Sequence, residues 1–244
     1  MLNLPHVATL ATRPLLPENC SVYLVDISQI IVPELHAQIL LSQAELDRAE
    51  KFRSPLHRQQ HLQCHAVLRL LLAERIDLDA DQITFDKGEF GKPALSGQAA
   101  DSRVAFNIAH SGSYAVIAIG TELVIGVDIE QVKTGRRILE IADHCFAEAE
   151  QESIRARPPS TQTDAFFSCW CRKESFIKAI GLGLHMPLDR FVVNVDPAAA
   201  AELLSVDYPG QQISDWQMYT LLTPDGYFGA LTLGYVNSAD STQG

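Results

Sequence analysis

The sequence has no apolar stretch long enough to cross a membrane. None of its uninterrupted apolar runs approaches the ~18 residues that a transmembrane helix needs. The opening stretch MLNLPHVATLATRPLL also lacks the basic start before an apolar block that marks a secretory signal peptide. We therefore expect neither a membrane partner nor a cleaved leader.

Basic residues are also fewer than acidic residues. The 244 residues include 19 lysines and arginines against 30 aspartates and glutamates, which gives a formal net charge of -11 at pH 7. Because nucleic acids bind to basic faces, this composition argues against a nucleic-acid partner. The few basic clusters suit a phosphorylated small ligand or an acidic protein partner, although each could equally be a solvated helix face.

Cysteine is too scattered for a disulfide framework. The five cysteines are an odd number spread along the chain, so we expect reduced thiols and a cytoplasmic protein. Core material is plentiful, since 47% of the residues are hydrophobic and 20% are charged. The length allows one large domain or two of about 120 residues.

An acid stands on the apolar face of a predicted helix in WCRKESFIKAIGLG, residues 170–183. Glu174 falls within this apolar stripe, and Lys178 projects beside it one turn later. A buried carboxylate needs a metal or a cation to compensate it, and a structural ion pair would serve as well as a functional site. The stripe itself recurs at three- and four-residue spacing: Phe166, Phe167, Trp170, Ile177 and Ile180.

Two further acids end the aliphatic strand predicted over LVIGVDIE, residues 123–130. Asp128 and Glu130 are two apart, so their side chains point to the same side of the strand. Together with Glu174, they would provide three carboxylates for Mg²⁺, a hard ion that prefers oxygen ligands. A strand end that simply meets solvent is the alternative interpretation.

The remaining pattern predicts an α+β chain. We expect a strand over 21–27, a helix from the capping pattern at Ser42 to about Phe52, and a helix from Pro55 to about Arg75. Strands are expected over 82–85 and 103–108, followed by the turn HSGS and the strand YAVIAIG. The stretch ARPPSTQTD, 156–164, is predicted to be a mobile loop.

Three histidines repeat every four residues on the second of these helices. His57, His61 and His65 could form a zinc-binding face, but no glutamate completes an HExxH motif. A partly exposed helix face is the simpler interpretation.

Two pairs of segments resemble each other across the chain. SVYLVDISQI is echoed by LVIGVDIEQV, and HSGSYAVIAIG is echoed by TPDGYFGALTLG about a hundred residues later. Landmarks repeated in the same order indicate an internal duplication. We therefore predict two similar α/β halves related by a pseudo-twofold axis, residues 1–121 and 122–244, with the active site in the cleft between them.

Three blocks together resemble the signatures of the 4′-phosphopantetheinyl transferases: FNIAHSG at 106–112, GVDIE at 126–130 and WCRKESFIK at 170–178. Further matches are the SQAELDRAEKF helix, FGKPAL, and the F-x-x-x-E element from Phe146 to Glu150. The length and the two halves are similar to the surfactin-synthetase-activating class. The resemblance implies transfer of the phosphopantetheine arm of coenzyme A to a serine of an apo-acyl or apo-peptidyl carrier protein, with release of 3′,5′-ADP.

The resemblance also assigns site residues. It implies that Asp128, Glu130 and Glu174 bind Mg²⁺, or Mn²⁺, and that Asp128, Glu174 and Lys178 take part in catalysis. Glu174 would be the base for the serine hydroxyl or only a metal ligand. Coenzyme A would contact Arg48, Arg53, Lys92, Asn107, His110, Ser111, Lys173 and Lys178.

Partners and rival functions complete the expectations. Arg136, Arg137 and exposed apolar residues of the helix before Cys145 are our hypothesis for the carrier-docking surface, and a monomer is expected. A non-catalytic paralogue that binds coenzyme A or a carrier protein is the alternative function. A Mg²⁺-dependent nucleotide hydrolase is a third.

Overall fold

The computed structural model describes residues 4–133 and 137–235 and has the predicted α+β architecture. The helices are α1 Glu34–Leu40, α2 Gln43–Glu50, α3 Pro55–Ile76, α4 Ile138–Cys145, α5 Glu148–Arg155 and α6 Pro159–Ile180. The strands are β1 Val7–Thr9, β2 Thr12–Arg13, β3 Cys20–Asp26, β4 Thr84–Lys87, β5 Pro93–Ser96, β6 Val104–Ser111, β7 Tyr114–Thr121, β8 Leu123–Gln131, β9 Phe191–Val193, β10 Leu203–Val206, β11 Trp216–Leu221 and β12 Tyr227–Tyr235.

Two four-stranded antiparallel sheets form the centre, in the orders β1-β3-β7-β6 and β2-β11-β12-β8. In each half a strand is followed by three helices, a short two-stranded sheet and two more strands. The third helix has 22 residues in both halves. The echoing sequence segments are β3 with β8 and β7 with β12, and β3 pairs with β7 as β8 pairs with β12, although β3 is an inner strand and β8 an edge strand. This likeness supports an internal duplication, which stays a prediction.

One short strand crosses between the halves. Thr12 and Arg13 of β2 pair with Leu221 and Thr220 of β11, so the second sheet takes its edge strand from the N-terminal part of the chain. The predicted boundary between residues 121 and 122 stays a prediction, and this pairing runs across it.

Strand β8 has two differently used faces. Its Val127 and Ile129 are buried in the core between the two sheets. Its other face meets helix α6 at Gly126, where a Cβ atom would lie 2.0 Å from the Ser175 carbonyl oxygen and 2.2 Å from the Ala179 nitrogen. Such distances are sterically forbidden, so glycine lets the helix lie directly against the strand that carries Asp128.

Most of the local expectations agree with the structure. The Ser42 capping box is formed, since the Ser42 nitrogen donates to Glu45 Oε2 at 2.9 Å, and α3 begins at Pro55 as expected. The predicted mobile loop over 156–164 is wrong, because α6 already begins at Pro159 and only the turn before it is non-helical. A proline at the first helical position loses no hydrogen bond, so the two adjacent prolines start a helix here. Strand β5 was also missed, inside a stretch interpreted as a turn.

Within residues 4–133 and 137–235, no helix combines the length and the apolar character that crossing a bilayer requires.

Candidate active site

Helix α6 brings a lysine onto the acidic end of β8. Lys178 Nζ donates to Asp128 Oδ1 at 2.6 Å, with the Asp128 side chain only 7% exposed and the Lys178 side chain 30% exposed. Desolvation lowers the pKa of Lys178, but the Asp128 carboxylate outweighs it and the net shift is upward. Asp128 therefore holds the ammonium in its charged form beside the cleft.

Glu174 lies one turn before Lys178 and is half-buried. Burial raises the pKa of the Glu174 carboxyl, and the nearby Asp128 raises it further. Lys178 works in the opposite direction, while Glu130 adds to the upward shift. The three predicted acids thus act on one another electrostatically, with Lys178 among them.

One oxygen at this site has no partner. Asp128 Oδ2 is buried and makes no hydrogen bond, which is unusual for a carboxylate oxygen away from water. Three carboxylates are the type of ligand that Mg²⁺ prefers, so the residues fit such an ion chemically. Across the described residues, however, no three acidic, histidine or cysteine side chains stand close enough to hold a metal as they are. The acids meet in one region without forming a preassembled metal site.

Two polar residues of β6 tie the first sheet to β8. Ser111 Oγ donates to Glu130 Oε2 at 2.8 Å and accepts a hydrogen bond from the Gln131 nitrogen at 3.1 Å. Asn107 Oδ1 accepts from the Val127 nitrogen at 2.8 Å. Both side chains, predicted to contact coenzyme A, therefore also hold the acidic strand in place.

A cleft runs past these residues. It consists of three cavities of about 590, 400 and 210 Å³ that all have Ile108 in their walls; residues of both halves line the first and the third, and residues of the first half alone line the second. The cavities divide the predicted site residues among them: His110, Ser111 and Glu130 in the first, Arg48 in the second, and Lys92, Asn107 and Lys178 in the third. Arg53 is exposed and lines none of the three.

The three histidines of α3 belong to the wall of the largest cavity, where they face His110. Burial, with repulsion from His65, lowers the pKa of His61 to about 4, and burial also lowers the pKa of His110. These two rings are therefore neutral at pH 7. The HxxxHxxxH spacing could have indicated a cavity wall, but sequence reasoning took it only for a possible zinc site or a partly exposed face.

Glu45 is a further residue whose importance the sequence did not reveal. Besides capping α2, its carboxylate accepts hydrogen bonds from Arg69 Nη2 at 2.7 Å and meets His65 Nδ1 at 3.1 Å. Burial opposes ionisation, but these partners hold the pKa of Glu45 well below its usual range. Glu45 thereby fixes α2, with Arg48 on it, against α3.

Comparisons with known proteins show the family of the chain. The model of the 4′-phosphopantetheinyl transferase superfamily matches residues 124–232, and that of the 4′-phosphopantetheinyl transferase N-terminal region matches residues 33–122. The 4′-phosphopantetheinyl transferase Sfp of Bacillus subtilis is 35% identical over 167 residues, which cover 64% of this chain and 72% of that protein. The chain belongs to the 4′-phosphopantetheinyl transferase superfamily.

The matches with other relatives of this transferase cover different fractions of the two chains. The 4′-phosphopantetheinyl transferase HetI of Nostoc is 29% identical over 82% of this chain and 83% of its own. For a putative 4′-phosphopantetheinyl transferase of Synechocystis, the 35% identical match covers 64% of this chain and 63% of the relative. The holo-acyl-carrier-protein synthase of Thermotoga maritima aligns over 47% of this chain and 65% of its own at a TM-score of 0.38, with 19% identity. The family models and the curated relatives confirm the predicted family and enzyme class.

In this superfamily member, Lys173 cannot bind coenzyme A as expected. Its side chain is 0% exposed, and Nζ lies 2.7 Å from Glu150 Oε2, 2.8 Å from the Leu188 oxygen and 2.6 Å from the Phe191 oxygen. All three N–H groups are therefore used inside the protein. Lys173 is a structural residue, and the predicted contact with coenzyme A is wrong.

Lys92 lines the smallest cavity, but its ammonium is also engaged. Nζ donates to the Ile125 oxygen at 2.8 Å and to the Ala179 oxygen at 2.9 Å. Desolvation lowers the pKa of Lys92 to about 8.

The predicted docking surface is only partly described. Arg136 lies outside the described residues, while Arg137 is exposed and pairs with Glu140 at 3.3 Å. A second apolar core, the cluster around Phe166, Phe176 and Phe191, lies beside α6. The apolar residues of α4 that we expected to be exposed are half-buried against this core: Ile138, Leu139 and Ile141. The apolar half of that hypothesis is wrong, because amphipathic α4 turns this face inward.

Proposed function

We propose that the protein transfers the 4′-phosphopantetheine arm of coenzyme A to a serine hydroxyl of an apo-acyl or apo-peptidyl carrier protein and releases 3′,5′-ADP. The observation that carries this proposal is the electrostatic coupling of Glu174 with Lys178, Asp128 and Glu130, of which Lys178 and Glu130 line cavities of the cleft. Membership of the superfamily supports it. The serine oxygen would form a bond to the phosphorus next to pantetheine, and the pyrophosphate P–O bond would break toward 3′,5′-ADP.

Binding of coenzyme A would use the cleft in sections. We assign the nucleotide end to the 400 Å³ cavity, where Glu45 fixes the helix that carries Arg48, and the 3′-phosphate to the neighbourhood of His110. Lys178 would meet the pyrophosphate. His110 would donate a ring N–H to this phosphate, and the phosphate charge would counteract the burial that lowers the pKa of the ring.

The acids would hold Mg²⁺, or Mn²⁺, through Asp128, Glu130 and Glu174. Such an ion neutralises the charge of the pyrophosphate and of the leaving nucleotide. The partnerless Asp128 Oδ2 supports the proposal, because it is a carboxylate oxygen without a hydrogen-bond partner.

Glu174 would take the serine proton. Its carboxylate lies one turn before Lys178, is half-buried rather than enclosed, and interacts electrostatically with Lys178 and Asp128, which supports a place near the reacting groups. Lys178 would then stabilise the charge that develops on the leaving phosphate. A role of Glu174 only in holding the metal is the rival proposal.

The proposed setting is the cytoplasm, with the protein acting as a monomer. All five cysteines are unpaired, which fits a reducing compartment. Both walls of the cleft come from the same chain, so a second copy is not needed to complete the site.

Mass measurement of the carrier tests the function directly. The protein is mixed with coenzyme A, Mg²⁺ and an apo-carrier protein, and the carrier is weighed; a gain of one phosphopantetheine mass is expected. An unchanged carrier with intact coenzyme A would favour a binding paralogue, and loss of coenzyme A without a gain in the carrier would favour a hydrolase. Glu174→Gln is the matched control: it keeps the size of the side chain, and we expect no transfer.

A further inference from the structure

Lys92 joins the first half of the protein to both elements that carry the acidic site. Its backbone belongs to the turn between β4 and β5, where the Gly88 nitrogen donates to the Lys92 oxygen at 2.9 Å. Its ammonium reaches into the other half, to the oxygens of Ile125 and Ala179 at 2.8 and 2.9 Å. One side chain thus connects a hairpin of the first half with β8 and α6.

The contact at Ala179 caps helix α6. The last four carbonyl groups of a helix have no partner within it, and a cation near the C-terminus is favoured by the helix dipole. The helix ends at Gly181 in a left-handed conformation with φ +81°, and a Cβ at that glycine would lie 3.4 Å from Lys92 Cδ. The lysine stem therefore passes beside the helix end while its ammonium satisfies the carbonyl of Ala179.

Both contacted carbonyls are close in sequence to functional side chains. Ala179 follows Lys178 directly, and Ile125 precedes Asp128 by three residues on the same strand. On its other side, the turn that carries Lys92 borders the nucleotide cavity through Gly91 and Pro93. Lys92 consequently lies between the groups assigned to the nucleotide and those assigned to the pyrophosphate.

We propose that Lys92 is a positioning residue, which holds Lys178 and the acids of the second half at a fixed distance from the nucleotide cavity of the first half. This inference rests on the proposed function. It differs from the contact between Lys92 and coenzyme A that the family resemblance implied, because two of the three ammonium donors are already bonded to backbone carbonyls.

Two substrates separate positioning from phosphate binding. Lys92→Met keeps the stem of the side chain and removes the ammonium, and we expect kcat/KM to fall roughly tenfold or more, as for other small displacements of reacting groups. The loss should be the same with coenzyme A and with dephospho-coenzyme A, which lacks the 3′-phosphate. A loss confined to coenzyme A, or no loss at all, would overturn the inference. Lys51→Met, an exposed lysine outside the cleft, is the matched control and should retain the full rate.

Hydrogen exchange provides a readout without any substrate. In Lys92→Met, the amides of the last turn of α6 should exchange faster than in the unsubstituted protein, and Lys92→Arg, which keeps a cation with several donors, should restore both protection and turnover. If Lys92→Met does not fold, the test rests on Lys92→Arg. The inference is supported if this variant keeps both its turnover and the protection of the α6 amides against exchange. It is refuted if turnover is normal while that protection is lost.

These measurements also separate failure of the inference from failure of the proposed function. If the unsubstituted protein loads no carrier, the proposed function is wrong. Faster exchange in Lys92→Met would even then support the contact, and unchanged exchange would exclude it.

Discussion

Two lysines five residues apart on helix α6 illustrate how the same side chain takes two different roles. Lys173 is fully enclosed with Glu150, and every donor and acceptor of the pair has a protein partner. Lys178 pairs with Asp128 at a similar distance, but it borders the cleft and leaves Asp128 Oδ2 without a partner. All hydrogen-bonding groups of the first pair are satisfied within the protein, while the second pair has an oxygen that could still bind a ligand.

The difference follows from helix geometry. Five residues turn an α-helix by about 140° beyond one full turn, so the two lysines leave the helix in different directions. Lys173 enters the second core, where its ammonium lies 4.1 Å from the centre of the Phe191 ring. Lys178 follows the direction of Glu174 toward β8. Their surroundings, rather than their chemistry, distinguish the structural pair from the functional one.

The largest expected effect is on catalysis at Lys178. Lys178→Met should lower kcat by about 10²- to 10³-fold, because it removes a cation from the developing phosphate charge. The free energy of unfolding should fall by less than it does in Lys173→Met, because the Lys178 side chain is 30% exposed whereas that of Lys173 is fully enclosed. Carrier loading and chemical denaturation measure the two quantities; a variant that loses stability but not rate would reverse our assignment.

Lys173→Met should lower the stability of the protein and leave its rate nearly unchanged. Removing one partner of a buried pair leaves Glu150 uncompensated, so the free energy of unfolding should fall by about 3–5 kcal/mol. The rate per folded molecule should stay within a few-fold of normal. In a double-mutant cycle, addition of Glu150→Gln to Lys173→Met should recover part of the loss, and strictly additive losses would show that the pair is not coupled.

A smaller effect is expected for Asp128→Asn. The substitution keeps the hydrogen bond from Lys178 but removes the charge on the partnerless oxygen, so stability should change little while affinity for Mn²⁺ falls at least about tenfold. Paramagnetic resonance of Mn²⁺ with the protein measures the affinity. Unchanged affinity would show that this carboxylate is not a metal ligand.

The smallest expected effect is a change at Lys92 in how the free energy of unfolding depends on pH. Its pKa of about 8 in the folded protein lies below the ordinary lysine value of 10.5, so the unfolded chain binds this proton more tightly between those two pH values. The free energy of unfolding should accordingly rise as the pH increases from about 8 to about 10.5. Denaturation across this range should show less of that rise in Lys92→Met, and an identical rise would indicate another group.

The sequence alone predicted much of the site but not its internal pairing. Spacing placed Asp128 and Glu130 on one face of a strand, and Glu174 with Lys178 on one face of a helix, because both patterns depend only on local periodicity. The partners of Lys173 and Lys92 depend on how distant elements pack. Glu150 is 23 residues before Lys173 along the chain, and Ala179 is 87 residues beyond Lys92, so no local pattern could identify them.

Because strand β2 belongs to the sheet of the second half, cutting the chain between the halves would remove an edge strand from that sheet. The second sheet covers the outer edge of β11 with two residues that come from the first tenth of the chain. A fragment cut at the apparent boundary would display that edge to other molecules, and unprotected strand edges recruit further strands. Expression of the second half alone would therefore favour self-association.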